Sequence, residues 1–312
     1  MAEFGKIEEL EEIIKHDANN FQARRELSIA LLDKGFNKDA LKQINFLLGV
    51  FPDDARLYYN QAIAFEKLNK DILAEKSYLK AIEIDNSQTD FLYNLAYLYL
   101  QQKKYEESLE LFWQVIEKDS QDANVFFNIG FLLGKLKRHE DAIQYLQKAY
   151  ELNNNDTLAL FYTAYAYSCL KNFDEAKKYY HQVLENCPDY SWAYYNLATI
   201  EYNQGNINEA FDFLQKTLEY NPKDIGAYKF CAKILIEANQ IQEAQQIIEV
   251  GLSQCENDAN LYYYLGQIYK LQNNIKGYVE NLKNAIKNHI TLDFPVAKIK
   301  TELTQFIEQR KK

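Results

Sequence analysis

Along this chain the apolar positions keep a helical beat, and the beat itself repeats. Small side chains return at Ser28, Ala62, Ala96, Gly130, Ala164, Ala198, Ala232 and Gly266, each 34 residues after the one before. A second series follows twelve residues later: Ala40, Ala74, Ser108, Ala142, Ala176, Ala210 and Ala244, broken only by Tyr278. Four residues further on the side chain is always large and apolar (Ile44, Tyr78, Phe112, Leu146, Tyr180, Leu214, Ile248, Leu282). Paired small positions predict two helices that cross closely, with the large positions as interlocking ridges. A fixed period of this length marks a repeat array, in which each unit buries its apolar face on its neighbours.

In register, the copies begin at residues 21, 55, 89, 123, 157, 191, 225 and 259 and run without insertion to Leu292. The first helix covers positions 1–14 and the second roughly positions 15–29. Positions 4, 7, 8 and 11 share one face of the first helix. Positions 3 and 10 are apolar as well, so that helix is expected to be buried on two sides. The second helix has a narrower apolar stripe at positions 17, 20, 24, 27 and 28, as expected of an outer helix with one wet face. Pro52, Pro188 and Pro222 share position 32, where proline closes one unit before the next begins. Residues 1–20 are expected to form an N-terminal capping helix, with Ile7, Leu10, Ile13 and Ile14 inward. Residues 293–312 are expected to form a C-terminal one, with Val296, Ile299, Leu303, Phe306 and Ile307 inward. Tyr278 falls in the last unit, where no further unit must fit.

The period, the two small positions, the aromatics at positions 4, 11 and 24 and the late proline resemble the tetratricopeptide repeat family. The resemblance implies an all-α fold: a right-handed α-solenoid, or superhelix, of stacked antiparallel helix pairs. It also implies that positions 2, 5, 9, 12 and 13 line the concave inner surface, where such proteins usually bind ligands.

Those positions carry a second pattern. The phrases YYNQA (58–62), LYNLA (92–96), FFNIG (126–130) and YYNLA (194–198) set an aromatic at position 5 beside an asparagine at position 6. The aromatics are Tyr59, Tyr93, Phe127, Phe161, Tyr195 and Tyr263; the asparagines are Asn60, Asn94, Asn128 and Asn196, interrupted by Tyr162. Position 9 adds Tyr97, Phe131 and Tyr165, and the sixth copy adds Trp192 and Tyr202. An asparagine offers one acceptor and two donors, which matches a peptide backbone. Similar asparagine ladders occur in the tetratricopeptide arm of the O-linked N-acetylglucosamine transferases, whose catalytic region has no counterpart here. Two readings stand: the asparagines hold a peptide, or they bind neighbouring helices. Large aromatics along one face favour an interaction surface.

Charge refines the expected ligand. The chain carries a formal charge of −10, which disfavours nucleic acid and anionic membranes as partners. On the five inner positions, however, Arg25, Arg56, Lys67, Lys135, Lys229, Lys233 and Lys270 outnumber Asp33, Glu66, Asp90 and Glu237. Residues 124–203 read as an apolar stretch with basic groups to either side. The expected partner is a protein or peptide segment, extended or helical, with apolar anchors and acidic residues. The expected contacts are Tyr59, Asn60, Tyr93, Asn94, Tyr97, Phe127, Asn128, Phe131, Phe161, Tyr165, Trp192, Tyr195, Asn196, Tyr202, Lys229 and Lys233.

The sequence offers little else chemically. Ten glycines and four prolines suit a mostly helical chain. Cys169, Cys187, Cys231 and Cys255 form no CxxC pair and read as free thiols in a reducing compartment. His16, His139, His181 and His289 are scattered, so no metal site or cofactor is expected. No phosphate loop or nucleophile elbow appears. The N-terminus is acidic and no run of 18 apolar residues exists. The expectation is a cytoplasmic, non-catalytic scaffold or adaptor. The alternatives are a self-associating assembly component, or a carboxylate-gripping co-chaperone whose clamp residues Arg25, Ile29, Asn60, Asp90 and Asn94 match poorly.

Overall fold

The computed structural model describes residues 2–118 and 121–309. It contains eighteen α-helices and no strand among those residues. After α1 (Ala2–His16) the helices come in pairs: α2 (Phe21–Asp33) with α3 (Asn37–Val50), α4 (Ala55–Lys67) with α5 (Asp71–Ile84), α6 (Thr89–Gln101) with α7 (Tyr105–Lys118), and α8 (Ala123–Lys135) with α9 (His139–Leu152). The series continues with α10 (Thr157–Cys169) and α11 (Phe173–Asn186), α12 (Ser191–Gln204) and α13 (Ile207–Tyr220), α14 (Ile225–Glu237) and α15 (Ile241–Gln254), and α16 (Ala259–Leu271) and α17 (Ile275–Lys287). A 3-10 turn at His289–Thr291 leads to α18 (Val296–Gln309).

Two recurring local devices set these boundaries. The residue before the first helix of a pair often caps it. Asn20, Asp54, Asp122, Asp156, Asp224 and Asp258 accept backbone N–H bonds from Ala23, Leu57, Asn124, Ala159, Ala227 and Leu261. Between the helices of each pair the backbone turns left-handed at Gly35, Asn69, Lys103, Lys137, Lys171, Gly205, Asn239 and Asn273, with φ between 55 and 87°. Only glycine takes that conformation without strain, and Asn tolerates it better than Lys.

The chain divides into two compact units, Met1–Ala166 and Tyr167–Lys312. In the first, α1 to α9 each pack on the next. Ile7 and Leu10 of α1 join Leu27, Ile44, Leu47 and Leu57 in one core, while Phe112, Val125, Ile129 and Leu146 centre another. In the second, α11 to α18 pack in the same sequential way, around Ile248, Leu261 and Ile268 and around Tyr278, Leu282 and Ile299. The first helices are buried at positions 3 and 8 and, Ala30 apart, at position 10, and the second at positions 20, 24 and 27, whereas positions 4, 17 and 28 of the expected stripes are mostly half-buried or exposed. The small positions are small because the crossing is tight. A methyl on Gly130 would meet Leu146 Cγ at 2.6 Å, and Ser108 Oγ donates to the Ala96 carbonyl at 2.7 Å. The all-α solenoid packing expected from the sequence is thus present in each unit.

Three expectations about the ends need correction. Ile13 of α1 and Ile307 of α18 are exposed, because each helix has packing partners along only part of its apolar stripe. Tyr278 is not released from crowding by being last. It is fully buried, with its ring 4.6 Å from Phe306 of α18 and its hydroxyl bonded to Glu302 at 2.9 Å. A larger residue serves there because a helix must be reached, not admitted.

Candidate protein-interaction face

Positions 5 and 6 of successive pairs meet across the boundary between pairs. In the first unit Asn94 Nδ2 donates to the Tyr59 hydroxyl at 2.5 Å, and Asn128 Nδ2 to the Tyr93 hydroxyl at 3.2 Å. Phe127 has no hydroxyl to offer, and the residue facing it is Tyr162, whose ring packs edge-on at 5.9 Å. In the second unit Tyr195 meets Phe230 at 6.1 Å, and Lys229 lies 5.7 Å from the Tyr264 ring. Burial raises the pKa of the Tyr59, Tyr93 and Tyr195 hydroxyls, so they stay neutral partners in these seams. The seam is a property of the pairing at i and i+35. It is the second of the two readings of the asparagines, a bond to the neighbouring helix, at Asn94 and Asn128, and the joint change to Phe127 and Tyr162 is its trace in the sequence.

The structure therefore divides the expected contact residues. Asn128 and Phe161 are buried; the first lies under the Tyr93 hydroxyl and the second packs edge-on against Tyr162 at 5.4 Å. Tyr59, Asn60, Tyr93, Asn94, Phe127, Tyr195 and Asn196 are half-buried, and Asn196 Nδ2 bonds its own helix at the Trp192 carbonyl. Position 9 is different. In the first unit Tyr97 and Tyr165 are 43% and 44% exposed, with the half-buried Phe131 in the pair between them. Phe131 rests on Tyr162 at 5.0 Å and under Lys135 Nζ at 4.8 Å. In the second unit Trp192 is 58% exposed. Tyr202 packs on Phe230 at 5.1 Å, lies under Lys233 Nζ at 4.4 Å and donates to Glu237 at 2.6 Å.

The basic groups expected to stand free are largely engaged. Arg25 pairs with Asp54 at 2.5 Å, Lys229 with Asp293 at 2.6 Å, and Lys270 with Glu302 at 3.6 Å. Arg56 bonds Gln88, and Lys233 lies 3.9 Å from Glu237. All four cysteines stand outside any disulfide. Among the described residues no cluster of His, Cys, Asp or Glu is fit to hold a metal ion, and no helix is long and apolar enough to cross a membrane. Asn260 of the second unit, absent from the expected set, is buried and bonds the backbone of residues 291 and 293.

Five family profiles, each described as tetratricopeptide repeat, match residues 25–89, 77–110, 123–156, 156–223 and 203–268. The chain belongs to the tetratricopeptide repeat family. Among curated proteins, the repeats resemble a segment of Protein O-mannosyl-transferase TMTC3 from Homo sapiens, 36% identical over 59 residues. That match covers 19% of this chain and 6% of the transferase. Among solved structures, YrrB, described as a TPR protein with an unusual peptide-binding site, is 28% identical with a TM-score of 0.53. The match covers 59% of this chain and 95% of YrrB. A tetratricopeptide repeat protein from Parabacteroides merdae matches at a TM-score of 0.61 and 20% identity, over 80% of this chain and 97% of its own. The PilF structure from Pseudomonas aeruginosa matches at 0.56 and 20%, over 68% and 97%. Tetratricopeptide repeats generally mediate contacts between proteins, and the aromatic face of each unit has the chemistry for it.

Proposed function

We propose that this protein is a non-catalytic scaffold or adaptor that binds a peptide segment of a partner protein on its inner face. In this reading residues 21–292 comprise eight repeats, with α1 and α18 closing their ends. The observation that carries it is the row at position 9 of the first unit. Tyr97, Phe131 and Tyr165 come from three successive repeats, and the outer two keep over two-fifths of their surface in water. Exposed aromatics in a row seldom serve the fold, whereas they are the side chains that dominate protein interfaces. YrrB, the relative with a peptide-binding site, adds support for a ligand of that kind. The position 6 asparagines contribute indirectly, by fixing the helices that present the row. The ligand supplies apolar anchors, and acidic residues suit the lysines beside the rings.

Selection of binders from a random peptide library on the whole chain tests this. The Tyr97→Ala/Tyr165→Ala variant is expected to keep its helical circular dichroism and to lose about tenfold or more in affinity for the selected peptides, as aromatic anchors do. Unchanged affinity in the folded variant would move the binding function off this face.

A further inference from the structure

The connection between α17 and α18 lies on the eighth repeat in the way a bound peptide would. Asn260, buried at position 2, donates Nδ2 to the Thr291 carbonyl at 2.6 Å and accepts the Asp293 N–H on Oδ1 at 3.1 Å. One amide thus satisfies an acceptor and a donor of the same backbone, across Leu292 in an extended conformation (φ −68°, ψ 136°). The Asp293 carboxylate reaches Lys229 Nζ of the neighbouring repeat at 2.6 Å. Phe294 sets its ring edge-on to Tyr263, with centroids 5.1 Å apart. Lys229 and Tyr263 both occupy position 5, so an acidic and an aromatic side chain in sequence engage two successive repeats.

The contacts that hold α18 are mostly others, with Tyr263 common to both sets. Ile299 is fully buried, Phe306 packs on Tyr278, and Glu302 accepts bonds from Gln267, Tyr278 and Tyr263. Leu292 and Phe294 are half-buried against the core around Tyr278, Leu282 and Ile299, and Thr291 Oγ1 accepts the Ala259 N–H at 2.8 Å, so the open part of the connection is its acidic residue. Asp293 is 61% exposed, and an ion pair so open to water adds little to folding. Ile290 of the 3-10 turn is 91% exposed.

We propose that Asn260, Lys229 and Tyr263 form a binding site for an extended peptide in which an acidic residue is followed directly by an aromatic one. In the resting chain Asp293 and Phe294 fill that site as an internal pseudo-ligand. The proposal rests on the peptide-binding reading above and adds the ligand's side chains and the site's self-occupation. Charge complementarity at Lys229 fixes the acidic residue, the ring of Tyr263 fixes the aromatic one, and Asn260 fixes the extended backbone between the two repeats. A tethered segment competes at high effective concentration, so the closed chain binds an incoming peptide more weakly than the opened one.

Fluorescence anisotropy with labelled HITLDFPV, this chain's residues 289–296, tests the proposal on the whole protein. Asp293→Asn and the double variant Asp293→Ala/Phe294→Ala are expected to bind the peptide at least about tenfold more tightly than the unaltered chain. Lys229→Ala added to the double variant removes that gain, and HITLKAPV binds none of them. Circular dichroism checks the fold of each variant. Equal affinity in the unaltered and opened chains, no binding to either, or a gain that survives Lys229→Ala would overturn the proposal. Peptides selected on Tyr97 and Tyr165 report on the general peptide-binding reading independently, since those residues belong to the other unit.

Discussion

Tyr93 and Asn128 stand 35 residues apart in sequence and 3.2 Å apart in space. That bond, and its counterpart between Tyr59 and Asn94, gives the repeated aromatic–asparagine phrase a structural use. The phrase at 92–96 serves two neighbours: Tyr93 faces Asn128 of the next repeat, and Asn94 faces Tyr59 of the one before. A double-mutant cycle of Tyr93→Phe and Asn128→Ala should return a coupling of about 1 kcal/mol in urea unfolding, the usual net value of one such bond. The same substitutions should leave affinity for peptides selected on Tyr97 and Tyr165 unchanged. A coupling near zero would return the asparagine to the ligand. The sequence made the small and apolar columns plain because steric fit tolerates few residue types there. It left the seam as one of two readings because a hydrogen bond, a ring pair and a cation over a ring all satisfy it. The left-handed turn is legible at Gly35 and Gly205 and illegible at Lys103, Lys137 and Lys171, whose side chains give no hint of positive φ.

At the scale of helices, α18 is held to the eighth pair by an apolar residue and a carboxylate. Its Ile299 was legible from the stripe, but Glu302 was not, since one carboxylate among many looks like a solvated face. Burial alone would raise the Glu302 pKa. Hydrogen bonds from Gln267, Tyr278 and Tyr263 and the charge of Lys270 outweigh it and hold the carboxyl below its ordinary value of 4.5. Burial first, and then the Glu302 charge, push the Tyr263 hydroxyl up to about 12. A carboxyl whose pKa is depressed by folding stabilises above its unfolded pKa and loses that contribution as pH falls through the folded one. Glu302→Gln should therefore lower the thermal midpoint at pH 7, and the gap to the unaltered protein should shrink as pH drops below about 4.5. A gap that stays constant to pH 3 would show that the carboxylate charge contributes nothing.

For the whole molecule, the division into two units falls between the only two tryptophans, Trp113 in the first and Trp192 in the second. Repeat arrays are stabilised by nearest-neighbour contacts, so damage stays local. In the Trp192→Phe background, Gly130→Ala should lower the unfolding free energy that Trp113 fluorescence reports in urea by about 1–3 kcal/mol, the cost of forcing a methyl against Leu146. In the Trp113→Phe background, the Trp192 midpoint should hardly move. Equal shifts from both reporters would mean that the array unfolds as one cooperative body. The fold was legible at this scale because 34-residue periodicity survives any single exception, and the interaction face was legible only as a list of positions. Its sorting into buried seam and exposed row depended on neighbours that no single repeat specifies. The seam also limits how such a gene can shorten. Removing codons 89–122 would bring Tyr59 against Asn128 and restore the same bond across the new junction. Removing codons 123–156 would bring Tyr93 against Tyr162, two rings and two hydroxyls where one ring and one amide had fitted. Losses of equal length are thus unequal in cost, and the tolerated ones can be read from which phrases they join.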